Sequence, residues 1–427
     1  MKKILTGAAI LALATGLAAS GFAMSHEVVN NDTFNLNIGG RIQEVAYGQL
    51  LHDPVKDNAR VYLFLKQARF RVNGRVDDAK YDMQWVGAAE DVNGSNNGLT
   101  LLDASFDVPL FNWQSTWFKV GQFKVPYSRE SLNEEAYFQF VEHSIDFLGF
   151  NAGRDVGAAI HTYPGKFAGT LGVFTGGSRD VPLRFLPEHL GVPLVVTRFG
   201  YNDGLDKDIY TVAQNDLKPV RVTKAVYVNA MYLRDTKIGH STVLNVRTSE
   251  KSLLMNSNWN PFIARAPLNS GEFWQYGWDA AARGPLGSNA WSAEAEGNYA
   301  SYKNDYGKLH LAGGRVQGAI LVDKVEFALR YAILVPDNNF KSGAVSVTGH
   351  QPIQEVAPAV TYYIHGHDNK IVLDFPVLFD VPVFIEAGAG AYVSTEQPDQ
   401  VTVIAAAGGR VERQTVPEGR IMYQLAF

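Results

Sequence analysis

The chain has 427 residues, with 38 basic and 43 acidic side chains, a formal net charge of −5 and no cysteine. This acidic balance is not that of a nucleic-acid-binding protein, and stability without disulfides requires a large core or a closed hydrogen-bonded sheet. After the N-terminal apolar run, no stretch approaches the roughly 18 apolar residues of a membrane-spanning helix. A mature form that resides in a membrane is therefore expected to be a β-barrel.

The N-terminus has the three parts of a secretory signal peptide. Met1-Lys2-Lys3 forms the basic region, an apolar run follows it, and Gly21-Phe22-Ala23 provides a small-residue cleavage site. Such a segment is removed during export and is not a membrane anchor. We therefore predict a signal peptide over residues 1–23 and one barrel domain over residues 24–427.

The stretch QARFRVNGRV, which begins at residue 67, places arginines at a two-residue period. Side chains of a β-strand alternate between its two faces, so Arg69, Arg71 and Arg75 share one face while Phe70 lies on the other. The pattern predicts a strand with one wet face and one apolar face. In a membrane barrel the wet face points into the lumen, and the arginines are expected there.

The residues after this strand predict a hairpin with an assignable register. With Asp77-Asp78 as a two-residue turn, polar side chains face polar ones and apolar side chains face apolar ones. The predicted pairs are Arg75 with Lys80, Asn73 with Asp82, Arg71 with Gln84, Phe70 with Trp85 and Gly74 with Tyr81. A slip of one residue would place arginines in lipid, at about 2–4 kcal/mol each near the midplane. Short turns lie on the periplasmic side, so Arg75 is expected near the periplasmic mouth.

The same alternation recurs in later segments and in the final residues. Ile421, Tyr423, Leu425 and Phe427 alternate with Arg420 and other inward candidates, which resembles the C-terminal signature of bacterial outer-membrane proteins. The polar faces of the predicted strands carry both signs of charge. They place in the lumen Asp82, Asp103, Asp107, Asp279, Arg283, Glu294, Glu296, Lys324, Glu326, Arg330 and Asp374.

The segment from Ser128 to Gly153 interrupts the strand rhythm with a helix-compatible run, in which Ser131 and Glu134 have the spacing of a capping box. Two interpretations are open. The segment is either a loop that folds inward and narrows the pore, or a surface loop that packs against a neighbouring subunit. In the first case the residues at the constriction are Arg129, Glu130, Glu134, Glu135 and Glu142.

Several motifs occur in an order that resembles the phosphate-selective porin O and P family. They are Gly39-Gly-Arg-Ile-Gln43, Ala68-Arg-Phe-Arg-Val-Asn-Gly74, Val120-Gly-Gln-Phe-Lys-Val-Pro-Tyr-Ser-Arg-Glu130, Phe140-Val-Glu-His-Ser144 and Gly153-Arg-Asp-Val-Gly157. The resemblance is specific over the first roughly 180 residues. It implies barrels of 16 strands that assemble as trimers. We expect an all-β, transmembrane antiparallel β-barrel of about 16 strands, with long extracellular loops and an inward-folded constriction loop.

The resemblance also implies which side chains contact a solute. Phosphate-selective members line the entrance and constriction with arginines and lysines, on which anions exchange water for charged donors. The candidate pore-lining and anion-contacting residues are Arg69, Arg71, Arg75, Lys119, Lys124, Arg129, Lys324 and Arg330. Lys119 and Lys124 have opposite parity, so both face the lumen only if a bulge at Gly121 intervenes. The acidic residues on the same faces favour a weakly selective pore over a phosphate trap.

Two long stretches, from Ser178 to about Leu217 and from Ser249 to Gly271, are predicted to be extracellular loops. Loops of this kind are where barrel proteins contact partners.

These features predict an outer-membrane porin, a channel for passive diffusion of small hydrophilic solutes and ions, with anions as candidate solutes. The expected partners are outer-membrane lipid, the solute and two further copies in a homotrimer, with no nucleic acid. We predict no enzymatic activity, cofactor or metal, since no catalytic pairing of serine and histidine is visible. The alternative is a barrel that acts as a sheath or scaffold for a protein partner such as a periplasmic redox carrier, for which the charged strands are unfavourable.

Overall fold

The structure is a computed structural model, and it describes most of the chain beyond the N-terminus. The described residues are 26–51, 58–87, 99–110, 115–176, 192–210, 212–235, 271–304, 307–342, 345–349, 352–385 and 410–427. The predicted signal peptide lies outside them, as does the predicted loop from Ser249 up to residue 270.

The described residues form a single sheet of 19 strands. The strands are β1 (His26–Asn30), β2 (Phe34–Leu51), β3 (Asn58–Val76), β4 (Ala79–Val86), β5 (Thr100–Pro109), β6 (Thr116–Lys124), β7 (Arg154–Thr162), β8 (Phe167–Phe174), β9 (Val192–Asn202), β10 (Thr223–Asp235), β11 (Gly271–Leu286), β12 (Asn289–Asn304), β13 (Gly307–Val322), β14 (Val325–Ser342), β15 (Val345–Gly349), β16 (Ile353–His365), β17 (Asn369–Asp374), β18 (Val377–Ile385) and β19 (Arg410–Ala426).

The helices are short and lie between β6 and β7. They are α1 (Arg129–Leu132), a 3₁₀ helix (Glu135–Tyr137) and α2 (Ile145–Phe150). Within the described ranges, no helix combines the length and the apolar character that crossing a membrane requires.

The sheet closes on itself. Consecutive strands pair antiparallel from β2 onward, and β19 pairs with β2. β15 and β16 both pair with β14, so together they count as one interrupted strand of the barrel. β17 and β18 both pair with β16 on one side and with β19 on the other, so they also count as one interrupted strand. β1 pairs with β2 beyond the end of β19. The result is a closed antiparallel barrel of 16 strands, as predicted.

The predicted register of the first hairpin is confirmed. Arg75 pairs with Lys80 and Arg71 with Gln84 on one face, while Phe70 pairs with Trp85 on the other. The two aromatic rings lie 5.9 Å apart on the outer face. Because side chains alternate with a period of two, this register fixes the arginines of β3 on the inner face.

The two faces of the barrel differ as a membrane barrel requires. In β19 the outward residues Ile421, Tyr423 and Leu425 are exposed, while Arg420 and Gln424 are buried inside. Apolar side chains in contact with lipid and polar ones in the lumen satisfy the solvent preference of both. The predicted alternation of the final residues is confirmed.

The barrel is closed by the last residue of the chain. The Gly40 N–H donates to the Phe427 carbonyl at 2.8 Å, and the Phe427 N–H donates to the Gly40 carbonyl at 3.0 Å. The Phe427 ring lies over Gly40, where an added Cβ would be 2.7 Å from Cζ. The first and last strands therefore meet through backbone pairing and an aromatic contact.

The predicted extracellular loop up to Leu217 is wrong over most of its described part. Val192–Asn202 is strand β9, and residues 203–222 connect β9 to β10. The turns after β3, β5, β7 and β9 lie at the same end of an antiparallel barrel, so this connection is on the side of the Asp77-Asp78 turn, the predicted periplasmic side. The segment was misassigned because its proline and acidic residues are typical of loops at either end.

A bulge at Gly121, the condition stated for both Lys119 and Lys124 to face the lumen, is absent. β6 stays in register with β5 and with β7 through Gly121. Gly121 has a φ of +129°, a backbone angle that strongly favours glycine over residues with a side chain. A register shift occurs instead between β4 and β5, where Gln84 faces Asp103 and Trp85 faces Leu101. Leu102, which lies at this register shift, is buried.

Candidate functional site

The connection between β6 and β7, residues 125–153, crosses the lumen and is called the inward loop below. Ser128 caps α1 by accepting a hydrogen bond from the Ser131 N–H, and Ser144 caps α2 by accepting one from the Phe147 N–H. The predicted capping box at Ser131 is wrong, since the cap lies three residues earlier and the helix ends at Leu132. Of the two open interpretations, the loop that folds into the pore is correct.

A glycine on the wall admits the inward loop. A Cβ added to Gly313 would lie 2.3 Å from the Asp146 Oδ1 and 2.6 Å from the Phe150 Cε2. α2 therefore rests directly on the backbone of β13, a close approach that any larger residue would prevent.

Wall carboxylates hold the backbone of the inward loop. The Glu296 carboxylate accepts hydrogen bonds from the Arg129 N–H at 3.0 Å and from the Ser128 hydroxyl at 3.1 Å. The Glu355 and Asp374 carboxylates accept from the N–H groups of Ile145 and Val141, each at 2.9 Å. Glu296 and Asp374, predicted to face the lumen, therefore bind amides of the inward loop.

Wall cations hold the carbonyls of the same loop. Lys66 donates to the Val141 carbonyl at 2.5 Å, Lys370 to the Phe138 carbonyl at 2.7 Å and Arg330 to the Glu142 carbonyl at 3.0 Å. Lys124 donates to the Asn133 carbonyl at 2.9 Å. The loop is thus fixed through main-chain groups on several sides of the barrel.

A second segment enters the lumen from the opposite end. Residues 203–210 and 212–222, called the periplasmic segment below, form a parallel bridge between Val212 and Asn133 of the inward loop. The Gln139 N–H donates to the Gln214 side chain at 2.8 Å. The Asn215 amide donates to the Glu326 carboxylate on the wall at 2.8 Å. The two segments therefore pack against each other inside the barrel.

The acidic residues predicted at the constriction all reach basic partners. Glu130 lies 3.1 Å from Arg315, and Glu142 lies 2.7 Å from Lys66. Glu135 lies 2.9 Å from Arg69 and 3.7 Å from Arg41, and Glu134 lies 4.0 Å from Arg71. The partners that the sequence did not reveal are Arg41, Lys66 and Arg315, each far away along the chain.

Two of the three arginines in the β3 row, Arg69 and Arg71, are neutralised by carboxylates. Arg69 pairs with Glu135, and Arg71 makes a bidentate pair with Asp82 at 2.7 and 2.8 Å. Arg75 lies at the predicted periplasmic mouth and donates to the carbonyls of Asn31 and Asp32. Any anion that binds here must therefore compete with carboxylates that are already in place.

The remaining predicted cations divide into three groups. Lys119 lies 2.8 Å from Asp107 on the lumenal side, and Lys124 reaches the inward loop without a bulge because it ends its strand. Arg129 and Arg330 are buried in ion pairs. Lys324 was predicted on the lumenal face, and this is wrong. It belongs to the exposed tight turn between β13 and β14, where strand parity no longer applies.

Charges on the inward loop have shifted pKa values. Burial alone would raise the pKa of Glu134, but Lys124, Arg71, Arg41 and Arg69 lower it to about 2. The loop carboxylate nearest to Arg71 is therefore ionised at physiological pH.

Two loop groups are shifted toward their neutral forms. Burial lowers the pKa of His143 to about 3. Burial, together with Glu296 and Glu130, raises the pKa of Asp146 well above its usual range. Desolvation dominates at both sites because an uncharged group is more easily accommodated in a packed environment.

Sequence reasoning missed two further members of the buried ion pairs. Arg198 lies on the inward face of β9, 2.5 Å from Asp279, so its parity was a usable signal. Asp206, which pairs with Arg129, gave no such signal, because it lies in a segment without strand periodicity. Arg420, predicted to face inward, lies 2.6 Å from Asp374.

Comparisons with known proteins match this architecture. The sequence profile of the family described as "Phosphate-selective porin O and P" matches residues 37–319. The chain belongs to this family. The match extends well past the N-terminal motifs and covers the inward loop and three wall residues that contact it, Lys66, Glu296 and Arg315. A comparison with curated proteins found no significant match.

Solved structures share the fold at low sequence identity. The in-vitro folded OmpT of Vibrio cholerae is 11% identical, with a TM-score of 0.52 over 94% of this chain and 100% of that chain. The outer membrane channel DcaP of Acinetobacter baumannii is 10% identical, with a TM-score of 0.53 over 95% and 100%. OmpF of Salmonella typhi, solved with daunomycin, is 11% identical, with a TM-score of 0.51 over 94% and 100%.

Family membership and fold together identify an outer-membrane channel for small solutes. They indicate a channel rather than an enzyme. Within the described ranges, no group of three or more histidine, cysteine, aspartate or glutamate side chains has the arrangement of a metal site.

Proposed function

We propose that the protein is a porin through which small hydrophilic solutes and ions diffuse passively across the outer membrane. The observation that carries the proposal is a closed barrel whose charged lumen is narrowed by the inward loop. Charged side chains around a narrow water-filled passage determine which ions pass. The predicted signal peptide over residues 1–23 is the expected means of export.

The channel is proposed to discriminate weakly between anions and cations. Arg69 and Arg71, which the family resemblance assigns to anion contact, are paired with Glu135 and Asp82. A dedicated phosphate site requires donors that are not already occupied by carboxylates. A mild anion preference stays compatible with this arrangement, whereas tight phosphate binding requires these pairs to open.

We propose a homotrimer embedded in outer-membrane lipid. The apolar outer face supports contact with lipid, with exposed residues such as Phe327 and Leu329 on β14. Support for the trimer comes from a solved OmpT of Vibrio cholerae described in its trimer form, with a TM-score of 0.52. Cross-linking followed by mass measurement in mild detergent tests this assembly.

The direct test is the single-channel current of the purified mature protein in a planar bilayer under a potassium chloride gradient. Stepwise currents with a reversal potential near zero are expected, and added phosphate should not block them at low concentration. Block of the current at low phosphate concentration would show that the channel binds phosphate tightly and would contradict the weakly selective pore. An absence of current would contradict the channel function itself.

The sheath alternative receives no support from the geometry. The inward loop and the periplasmic segment occupy the lumen and bury side chains such as Arg129 and Gln139. A threaded protein would have to displace both segments together with their ion pairs.

A further inference from the structure

Among the lumenal ion pairs of the described residues, the most exposed lie on β3 to β6. On β3 and β4 the side chains of Arg71 and Asp82 are 18% and 26% exposed. Across the lumen, Arg315 is 0% exposed, and Arg330 and Glu355 are each 1% exposed. The charged wall thus has a wet side and a dry side.

The inward loop and the periplasmic segment together create this asymmetry. The loop covers Arg315 through Glu130 and Arg330 through the Glu142 carbonyl. The periplasmic segment packs on the far wall, where the Asn215 amide and the Tyr363 hydroxyl donate to Glu326 at 2.8 and 2.6 Å. It also reaches β6, where Lys119 lies 5.1 Å from the Tyr210 ring. Along β3 to β6 the ion pairs keep contact with solvent, as Lys119 and Asp107 do at 10% and 14% exposure.

Where β3 and β4 meet the inward loop, one cation, Arg71, lies between two carboxylates, Asp82 of β4 and Glu134 of the loop. Arg71 makes its bidentate pair with Asp82 and lies 4.0 Å from Glu134 on the loop. The Arg71 to Glu134 distance is that of a loose contact, longer than the 2.7 Å of the Arg71 to Asp82 pair. A loose pair between partly hydrated groups can open for a passing ion at a small free-energy cost.

We propose that solutes pass along the β3 to β6 side of the lumen, and that Arg71, Asp82 and Glu134 set the charge preference there. The inference rests on the proposed channel function and adds its route and its selectivity residues. Arg69 is only 2% exposed, and Arg75 lies at the predicted periplasmic mouth, where it donates to the Asn31 and Asp32 carbonyls. Of the three arginines in the row, only Arg71 is assigned to selectivity.

The sign of each effect follows from the charge removed. Without the Arg71 cation, the two carboxylates attract cations and repel anions. Without either carboxylate, Arg71 is less neutralised and attracts anions. One unit charge about 4 Å from a permeating ion in a water-like medium changes its local population by up to about fivefold.

The test compares Arg71→Gln, Asp82→Asn and Glu134→Gln in planar bilayers under a potassium chloride gradient. Arg71→Gln is expected to raise the potassium-to-chloride permeability ratio by about twofold to fivefold, and the two carboxylate variants are expected to lower it. Arg71→Lys keeps the charge and should leave the ratio near that of the wild type. Glu134 lies on the loop, so its variant tests the assignment independently of folding effects on β3.

Two matched controls each remove one positive charge away from the proposed route. Arg75→Gln does so at the predicted periplasmic mouth, and Lys324→Gln does so in an exposed turn. Both variants should leave the potassium-to-chloride permeability ratio unchanged. If the controls shift the permeability ratio as strongly as Arg71→Gln does, the inference is overturned, because selectivity would then come from the summed charge of the whole protein and not from Arg71. An unchanged ratio in both Arg71→Gln and Glu134→Gln would overturn it as well, while wild-type current would still support the channel. A wild-type protein without current would overturn the channel, and this route with it.

Discussion

Arg129 of the inward loop and Asp206 of the periplasmic segment form a buried bidentate ion pair, with nitrogen to oxygen distances of 2.6 and 3.0 Å. The pair joins two segments that enter the barrel from opposite ends. Arg129 also donates to Asp279 of β11 at 3.1 Å, so the joint is fastened to the wall. A single guanidinium therefore links both segments that narrow the lumen.

Replacing Asp206 with asparagine should loosen this joint. The change removes one charge from a buried pair and leaves Arg129 with Asp279 at 3.1 Å and Glu294 at 3.9 Å, at a cost of about 3 kcal/mol. We expect a lower melting temperature in detergent and more frequent current fluctuations in single-channel records. Asp216→Asn is the control, since Asp216 lies on the same segment but is exposed. Equal behaviour of the two variants would show that the joint does not hold the segments.

Barrel closure should depend on the small size of Gly40. In Gly40→Ala the added methyl would meet the Arg69 carbonyl and the Phe427 ring, each at 2.7 Å. Overpacking of this kind costs about 1–3 kcal/mol. The temperature at which the folded barrel loses its characteristic gel migration should fall.

The control for Gly40→Ala is Gly318→Ala on β13, where the nearest atom to an added Cβ is 3.6 Å away. This variant should migrate as the wild type does. If Gly40→Ala is as heat-resistant as Gly318→Ala, then the closing contact adjusts freely and the geometry at Gly40 is not limiting.

Asp146→Asn should stabilise the protein increasingly as the pH rises. The raised pKa of Asp146 keeps its proton bound in the folded state, while the unfolded chain loses that proton above about pH 4. Wild-type stability therefore falls with pH above that point, and asparagine removes this dependence. Melting temperatures at pH 4 and pH 8 should diverge in favour of the variant.

Glu130→Gln is the matched control for Asp146→Asn. Burial opposes ionisation of Glu130, but Arg315 and Arg330 lower its pKa, so it is a charged partner in the folded state. Its neutralisation should destabilise the protein at pH 8. A loss of stability in Asp146→Asn at pH 8 would show instead that Asp146 is ionised and paired.

His143 should make the inward loop sensitive to acid. Its pKa of about 3 in the folded protein lies below the unfolded value near 6.5, so the unfolded chain binds more protons between these pH values. Stability is therefore fully present above about pH 6.5 and decreases as the pH falls toward 3. The ring is stacked on Phe147 with centroids 3.6 Å apart, which explains the burial.

The contribution of His143 is measured by comparing the wild type with His143→Gln. Melting temperatures at pH 7.5, 5.5 and 4.5 should fall less steeply in the variant, because glutamine does not titrate. Parallel slopes would assign the acid sensitivity to other groups, such as carboxylates that lose their partners.

The barrel and the direction of its side chains were determined by the sequence itself. Strand parity has a period of two, so the register of the β3 to β4 hairpin and the inward position of Arg69 and Arg71 follow from local alternation. Arg420 and the outward Ile421 are likewise placed by the pattern of the last strand. These are properties of a few consecutive residues and need no knowledge of distant ones.

The partners of the inward side chains were decided only by the tertiary structure. Glu135 reaches Arg69, and Asp206 reaches Arg129, across separations that no local pattern encodes. Lys324 shows the limit of parity, which ceases to apply where a strand ends in a turn. The charge that a solute meets depends on which pairs are hydrated, and hydration depends on how two irregular segments fill the barrel. The way these two segments fill the barrel is decided by packing in three dimensions. Alternation along the chain therefore determines which side chains face the lumen, but not which of them are in contact with water.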